Sequence, residues 1–572
     1  MKCESSCGSA GGRACLALCV FIVTSTLAFG QSSKLSKDLR NLPSGQSANV
    51  IVQYYTAPTT TDAKAATSAG ATNGKKLGLF KGNGYTMSPA AAAKLVSLDT
   101  NVRYISPDRP LKGAMNYAVP AVNADLAHNL GFDGTGVGVA VIDSGVNPIA
   151  DLSSGNRIVY SQNFDPSSTT TNDLYGHGTH VAGIVAGNGT SSNCSNCDVH
   201  FSGIAPNANI INLRVLDSNG SATDSTVIAG IQQAIALKSQ YNIRVINLSL
   251  GRGVFESYTL DPLDQAVEQA WNAGIVVVVA AGNYGRDDSN NNNGYGTITA
   301  PGNDPYVITV GAMKTMGTAT RADDLIATYS SKGPTMLDHV AKPDIVAPGN
   351  LIISDLASTN DTLYSLYPAN LVSVSDYTTS NTSKISSAYY QLSGTSMAAP
   401  MVSGAAALLL QQSPSLTPDQ VKARLMKTAY KTFPTTSSYT DPSTGITYVD
   451  YYDIFTVGAG YLDVYAALNN TDLAPATSGS ALSPTAAYDS TTNTVYLVNG
   501  SSVVWGTSVV WGTSVVWGTS VVWGTNTVGQ SVVWGTSNQA WDSATSVVWG
   551  TSVVWGTKTN SDAMTVAIGG DK

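Results

Sequence analysis

The chain has 572 residues, enough for several domains at roughly 100–200 residues each. Only 12% of them are charged, with 30 Lys and Arg against 38 Asp and Glu, a formal net charge of −8. The balance is uneven along the chain: residues 31–115 carry a net +7 and residues 116–572 a net −16, so the larger part is not built for nucleic acid, and the two parts have complementary charge.

In chain order, the first segment is a processing signal at residues 1–30. Lys2 and Arg13 precede the apolar run ACLALCVFIVTSTLAFG, which ends in Ala28-Phe29-Gly30, a small-x-small cleavage pattern that places the mature start near Gln31. The run is short for a membrane span, so a secreted chain with no transmembrane segment after processing is expected. Cys3, Cys7, Cys15 and Cys19 leave with this segment. Cys194 and Cys197 remain in SSNCSNCDVH, where an oxidising compartment favours a local disulfide. The alternative, a metal site shared with His200, lacks a fourth ligand nearby.

Residues 48–58 (ANVIVQYYTAP) read as a strand, Pro89–Asp99 as a helix and Val102–Asp108 as a strand, giving a small α+β unit over 31–116. From Gly136 the texture changes. VGVAVIDSG, ANIINLRVLD, RVINLSLG and GIVVVVAAGN are apolar without alternation, as in strands buried on both faces. Helical stretches such as THVAGIVAG, STVIAGIQQAIALKSQ and LDQAVEQAWNAG alternate with them. That pattern predicts an α/β body with a mostly parallel central sheet covered on both sides. Its functional site belongs at the carboxyl ends of the strands, where VIDSG and AAGN fall. The body closes near Asn470, and a Thr/Ser/Pro/Ala-rich linker is expected over 471–500.

Residues 501–572 form a repeat tail. SVVWGT occurs seven times, starting at Ser502, Ser508, Ser514, Ser520, Ser531, Ser546 and Ser552, and eight of the nine tryptophans lie here. An even period puts each Val503/Trp505-type pair on one side of an extended strand. Turns at Gly-Thr-Ser would instead give short hairpins or a solenoid. A β-rich or irregular tail follows either way. It reads as a spacer, as a cell-wall or polysaccharide contact, or as a membrane-surface or oligomerisation edge.

Three places carry chemistry. Asp143 ends an apolar strand, where a buried carboxylate needs partners. His177 lies between glycines ahead of a helix. Ser396 lies in QLSGTSMAAPMVSGAAALLL, where Ser393, Thr395 or Ser396 is expected to cap a helix whose start Pro400 fixes near Ser396. A serine hydroxyl needs a base to take its proton, and the base needs a carboxylate to orient it.

The blocks VAVIDSG, GHGTHVAG and GTSMAAP, in the order Asp, His, Ser, resemble those of the subtilisin-like serine proteases. The resemblance runs from Tyr117 to Asn470, through RVINLSLG, VVVVAAGN, APGNDPYVITVGA and SSKGP…KPDIVAPG. It implies a subtilisin-like three-layer body over 117–470 and a ferredoxin-like inhibitory propeptide over 31–116, cut within Pro107–Ala118. By the same resemblance Ser396 is the nucleophile, His177 the base and then acid, and Asp143 the orienter. Asn283 joins the Ser396 N–H in the oxyanion hole. His180 is assigned to packing, and His128, His200 and His339 match no catalytic block. Peptide substrate is expected to add as a strand between Asn219–Ala222, with Gly220 and Ser221, and Ser249–Gly251. Ser249, Leu250, Gly251, Ala280, Ala281 and Gly282 would wall the first side-chain pocket, with Thr299 near its floor. Ala300–Pro301 matches a site that is cis in relatives. No cofactor is required for the chemistry. Structural calcium is possible, with ligands unassigned: Asp151 resembles a ligand in relatives, and RDDSNNNN offers oxygens. A second reading is a catalytically silent surface or wall-binding protein that works through its tail.

Overall fold

The computed structural model describes residues 34–498 apart from gaps at 37–38, 41, 43–44, 78–80, 108–114, 290, 381, 383 and 490–493, together with 503–505, 508–511, 570 and 571. The signal segment, most of the connector at 107–118 and the repeats beyond Trp511 lie outside the described residues. The chain divides into two units, Met1–Leu111 and Lys112–Lys572.

The N-terminal unit runs β1 (Ala48–Tyr54), α1 (Thr60–Ala69), β2 (Thr72–Leu77), β3 (Gly82–Met87), α2 (Pro89–Leu98) and β4 (Val102–Pro107). Its sheet is antiparallel in the order β2-β3-β1-β4, the split βαβ arrangement of ferredoxin-like folds. Val50, Val52, Leu95, Val102 and Ile105 form the core. Strand β1 stops at Tyr54 rather than at residue 58, because Asn101 takes the Thr56 amide and hydroxyl and a Thr59/Asp62 capping box opens α1. Helix α1 is Ala/Thr-rich with no large apolar stripe, and β2 (TNGKKL) is almost wholly exposed, so neither had a readable period.

In the larger unit an eight-stranded sheet holds β5 (Gly138–Asp143), β6 (Ile158–Asn163), β7 (Asn209–Arg214), β8 (Ile243–Leu248), β9 (Val276–Ala280), β10 (Ile308–Lys314), β11 (Leu325–Ile326) and β12 (Ile345–Pro348). The order is β11-β10-β9-β8-β5-β7-β6, with β12 also on β10, and every pairing but β10–β11 is parallel. Two helix pairs pack on it in a three-layer α/β body: α3 (His177–Ala186) with α6 (Thr395–Gln412), and α4 (Asp224–Tyr241) with α5 (Pro262–Asn272). Asp143 and Ala280 are the last residues of their strands, so the loops beyond them share one end of the sheet.

Beyond Asn470 the chain stays on the body. Lys422 donates to Ser483 Oγ (2.9 Å), and the Ala341 and Ala486 amides bond the Pro484 and His339 carbonyls (2.7 Å each). The hairpin of β13 (Thr485–Asp489) and β14 (Thr494–Val498) adds Ala486, Val495 and Leu497 to a cluster with Tyr295, Met426 and Phe455. The segment read as a linker is therefore body up to Val498; its small, polar composition hid an alternating apolar face. The first two repeats, Val503–Trp505 and Ser508–Trp511, pair as an antiparallel hairpin.

Ionisable groups are buried around the sheet. Asp344 lies between Lys342 Nζ (2.7 Å) and Lys422 Nζ (3.2 Å); burial favours its neutral form, but the two ammonium groups outweigh this and hold the carboxyl low. Asp264 on α5 has no such cation in contact. Burial, with the charge of Asp261 added, lifts it from 3.8 to about 8 while Asn303 Nδ2 donates to it at 2.9 Å. The folded state thus keeps a proton that the unfolded chain releases, and stability drains as pH rises from 3.8 to about 8. Asp264→Asn, which stays neutral, should match the parent below pH 3.8 and exceed it increasingly up to about pH 8. The gap should grow by at most about 1.4 kcal/mol per pH unit within that window in urea unfolding. A gap that does not change with pH would refute the assignment.

Candidate active site

Asp143 is fully buried at the end of β5, and its Oδ1 accepts from the Ser144 amide (2.7 Å) and meets His177 Nδ1 at 2.8 Å. His177 opens α3. The glycines beside it are dictated by packing. A Cβ on Gly178 would lie 2.2 Å from the Gly145 carbonyl oxygen, and Gly176 has φ of 105° with Asp361 2.8 Å from where its Cβ would be. Asp173 organises this turn. Its Oδ1 takes the Gly176 amide (2.7 Å) and the Ser144 hydroxyl (2.8 Å), and its Oδ2 takes the Thr179 amide (2.8 Å). Burial alone would lower the basicity of His177, but the Asp143 carboxylate, its hydrogen bond and the charge of Asp173 raise it above 6.5.

Ser396 is the second residue of α6, whose cap is Gly394 without a side-chain bond, not one of the three hydroxyl residues expected. Asn283 does the work instead: its Oδ1 accepts from the Thr395 amide (2.9 Å) and hydroxyl (3.1 Å), which turns its Nδ2 the other way. Pro400 is the sixth helical residue, deeper than the first turn that the sequence suggested. Having no N–H, it leaves the Ser396 carbonyl unpaired within the helix, and Ser249 Oγ donates to that oxygen at 2.7 Å. Ser396 Oγ in turn donates to the Ser249 carbonyl at 3.1 Å.

His177, Ser396 and Asn283 line one cleft of about 330 Å³. Gly220, Ser221, Ser249, Leu250, Gly251, Ala280, Gly282 and Thr299 line it too. Ala281 is fully buried, and its carbonyl accepts from the Thr299 amide (3.0 Å). Thr299 stands between two glycines: a Cβ on Gly251 would fall 2.5 Å from its Oγ1, and one on Gly282 2.8 Å from its Cγ2. Ala300–Pro301 is cis. Arg252 ties lining segments together, its guanidinium bonding Asp224 (2.8 Å) and Asp261 (2.9 Å). Sequence reasoning missed Asp173, Arg252 and the Ser249 hydroxyl. Only Asp173 left a signal, an acidic side chain just ahead of a helix start.

The other histidines stand apart. His180 Nε2 sits 3.1 Å from both the Ile352 and Tyr390 carbonyls, and burial pushes its pKa down to about 3, so it is a neutral core donor. His128, His200 and His339 do not line the cleft. Cys194 and Cys197 form a disulfide. Asp151 does not offer a calcium cradle. Its Oδ1 accepts from the Ser191 amide (2.6 Å), its Oδ2 from the Tyr389 hydroxyl (2.8 Å), and Arg157 occupies the Asp151 and Ala186 carbonyls. Nearby Asp355 is driven well above the carboxylate range by burial and by Asp151, leaving a neutral acid there. Among the described residues no three His, Cys, Asp or Glu side chains converge as a metal set, in RDDSNNNN or elsewhere.

A carboxylate, an imidazole and a hydroxyl beside a peptide-width cleft suit acyl transfer. Two curated relatives give the same direction. The serine protease AprX of Bacillus subtilis (strain 168) is 40% identical over 350 residues, 59% of this chain and 72% of that one. Subtilisin DY of Bacillus licheniformis is 35% identical over 313 residues, 55% of this chain and 90% of its own. The crystal structure of a cold adapted subtilisin-like serine proteinase is 31% identical, covering 52% of this chain and 84% of that one with a TM-score of 0.37. Residues 134–448, which take in Asp143, His177, Asn283 and Ser396, match the subtilase family, and the chain, a subtilisin-like serine endopeptidase, belongs to it.

Proposed function

We propose that this endopeptidase is secreted as a pre-pro-enzyme and cleaves proteins through an acyl-enzyme on Ser396. The observation that carries the reading is the 2.8 Å contact of His177 Nδ1 with a fully buried Asp143, in the cleft that Ser396 lines. With Nδ1–H donating to Asp143, Nε2 is the free acceptor. A turn about the Ser396 Cα–Cβ bond moves the hydroxyl from the Ser249 carbonyl to that nitrogen. His177 takes the proton as Oγ attacks the scissile carbonyl. The oxyanion accepts from the Ser396 amide and Asn283 Nδ2, each such donor contributing about 10²–10³ in rate. His177 then protonates the leaving amine, and water repeats the sequence on the acyl group.

Substrate lies extended between residues 219–222 and 249–251, bound through its main chain, with one side chain directed at Thr299. The N-terminal unit, with its net +7 against −16 for the rest and its ferredoxin-like fold, serves as the inhibitory propeptide until cut between residues 107 and 118. Among the described residues no helix is long and apolar enough to cross a membrane.

Recombinant wild type should lose the N-terminal unit and digest casein, whereas Ser396→Ala should keep the unit and leave casein intact. Wild type that does neither would sink the reading in favour of a silent surface protein acting through its tail. Because the base must be neutral, kcat/KM should fall on the acid side with a midpoint above 6.5. Asp143→Asn leaves burial as the dominant influence on His177, so its midpoint should move below 6.5, with activity down by about 10⁴-fold. Thr299→Gly removes the side chain between Gly251 and Gly282. The preference for Phe over Ala at the first pocket, read as a kcat/KM ratio, should rise by about tenfold or more. An unchanged ratio places the pocket elsewhere.

A further inference from the structure

Gly570 and Asp571, beyond the last repeat, are seated in the catalytic body. Asp571 is 4% exposed. Its Oδ1 accepts from Arg286 Nη2 (2.7 Å) and Thr328 Oγ1 (2.9 Å), and its Oδ2 from the Thr328 amide (3.0 Å) and Lys314 Nζ (2.9 Å). Its main chain is read as well: the Asp571 amide donates to Asn350 Oδ1 (2.9 Å), and Asn350 Nδ2 donates to the Asp571 carbonyl (3.0 Å). Gly570 has φ of 65°, and a Cβ there would fall 2.3 Å from Ser393 Oγ and 2.7 Å from Asn350 Oδ1.

The receiving side is built for this load. Arg286 and Lys314 are 10% and 9% exposed, and among the described residues the only carboxylate besides Asp571 paired with either is Asp441, at 2.8 Å from Arg286. The Tyr439 ring lies under both cations (5.4 and 4.9 Å) and Tyr448 under Arg286 (4.7 Å). Two nearly buried cations facing one place need an anion to offset their desolvation. The carboxylate, the paired amide and the glycine that no larger residue replaces define a Gly-Asp recognition site.

We propose that this pocket is a receptor for the chain's own Gly570–Asp571, so that the repeat array is held to the catalytic body at both ends, by β14 on one side and by this latch on the other. The ligand class is an acidic peptide carrying Gly-Asp. The site shares chain segments with the catalytic groups, since Arg286 follows Asn283 by three positions and Ser393 precedes Ser396 by three. It does not depend on their chemistry.

The test uses the full chain with Ser396→Ala, so that peptide and protein survive; an intact peptide mass afterwards separates failure of this site from failure of the catalytic assignment. Asp571→Asn in that background should lower Tm by at least about 3 °C, because two nearly buried cations lose their shared anion. A labelled AIGGDK peptide should then bind the Asp571→Asn chain at least tenfold more tightly than AIGGNK does, and the Asp571 chain, whose pocket is filled, should take up neither. Adding Arg286→Gln should abolish the difference between the peptides. Unchanged Tm with equal binding of the two peptides overturns the proposal, and so does AIGGDK binding that survives Arg286→Gln.

Discussion

A carboxylate at the end of a buried parallel strand has no water to share its charge. At Asp143 the protein supplies the Ser144 amide and the His177 ring in its place, and the rest of the cleft is arranged so that this pair can exist. Asp173 fixes the turn that delivers His177, and Gly178 lets α3 come close enough to the end of β5. The basicity of His177 is a contest between burial and two carboxylates, and the carboxylates prevail. Had burial prevailed, as it does at His180, the ring would be a weak base fit only for packing.

The serine end of the site obeys a different constraint, that of unpaired backbone groups at a helix start. Gly394 contributes no cap, Asn283 takes the Thr395 amide and hydroxyl, and Pro400 withholds the N–H that would have reached Ser396. These features leave the first turn of α6 with one carbonyl that Ser249 must satisfy. Ser249 and Ser396 thus exchange two hydrogen bonds that set the spacing between the helix and the β8 wall.

Much of this was legible because it lies in contiguous blocks. The unalternating strands announced a sheet covered on both faces, and the glycine-rich turns at their ends marked where side chains converge. What stayed hidden depends on distance in the chain. Arg252 ties the cleft lining through two aspartates 28 and 9 positions away, a relation with no local pattern. The small residues of α1 and the exposed β2 carry no period, and Ala486, Val495 and Leu497 looked like part of a spacer until Tyr295, Met426 and Phe455 were found against them. The helix starts at Thr395, beside the expected Ser396, but its cap is Gly394 and its proline sits deeper than the first turn, because Ser249, distant in the chain, supplies the donor that the proline lacks.

The seating of Asp571 changes what a nick in the repeats does. A tail fixed at one end sheds everything downstream of the first cut. A chain pinned at both ends sheds nothing at that cut, since the upstream piece stays covalently joined and the downstream piece stays bound through Asp571. Release then takes a second event.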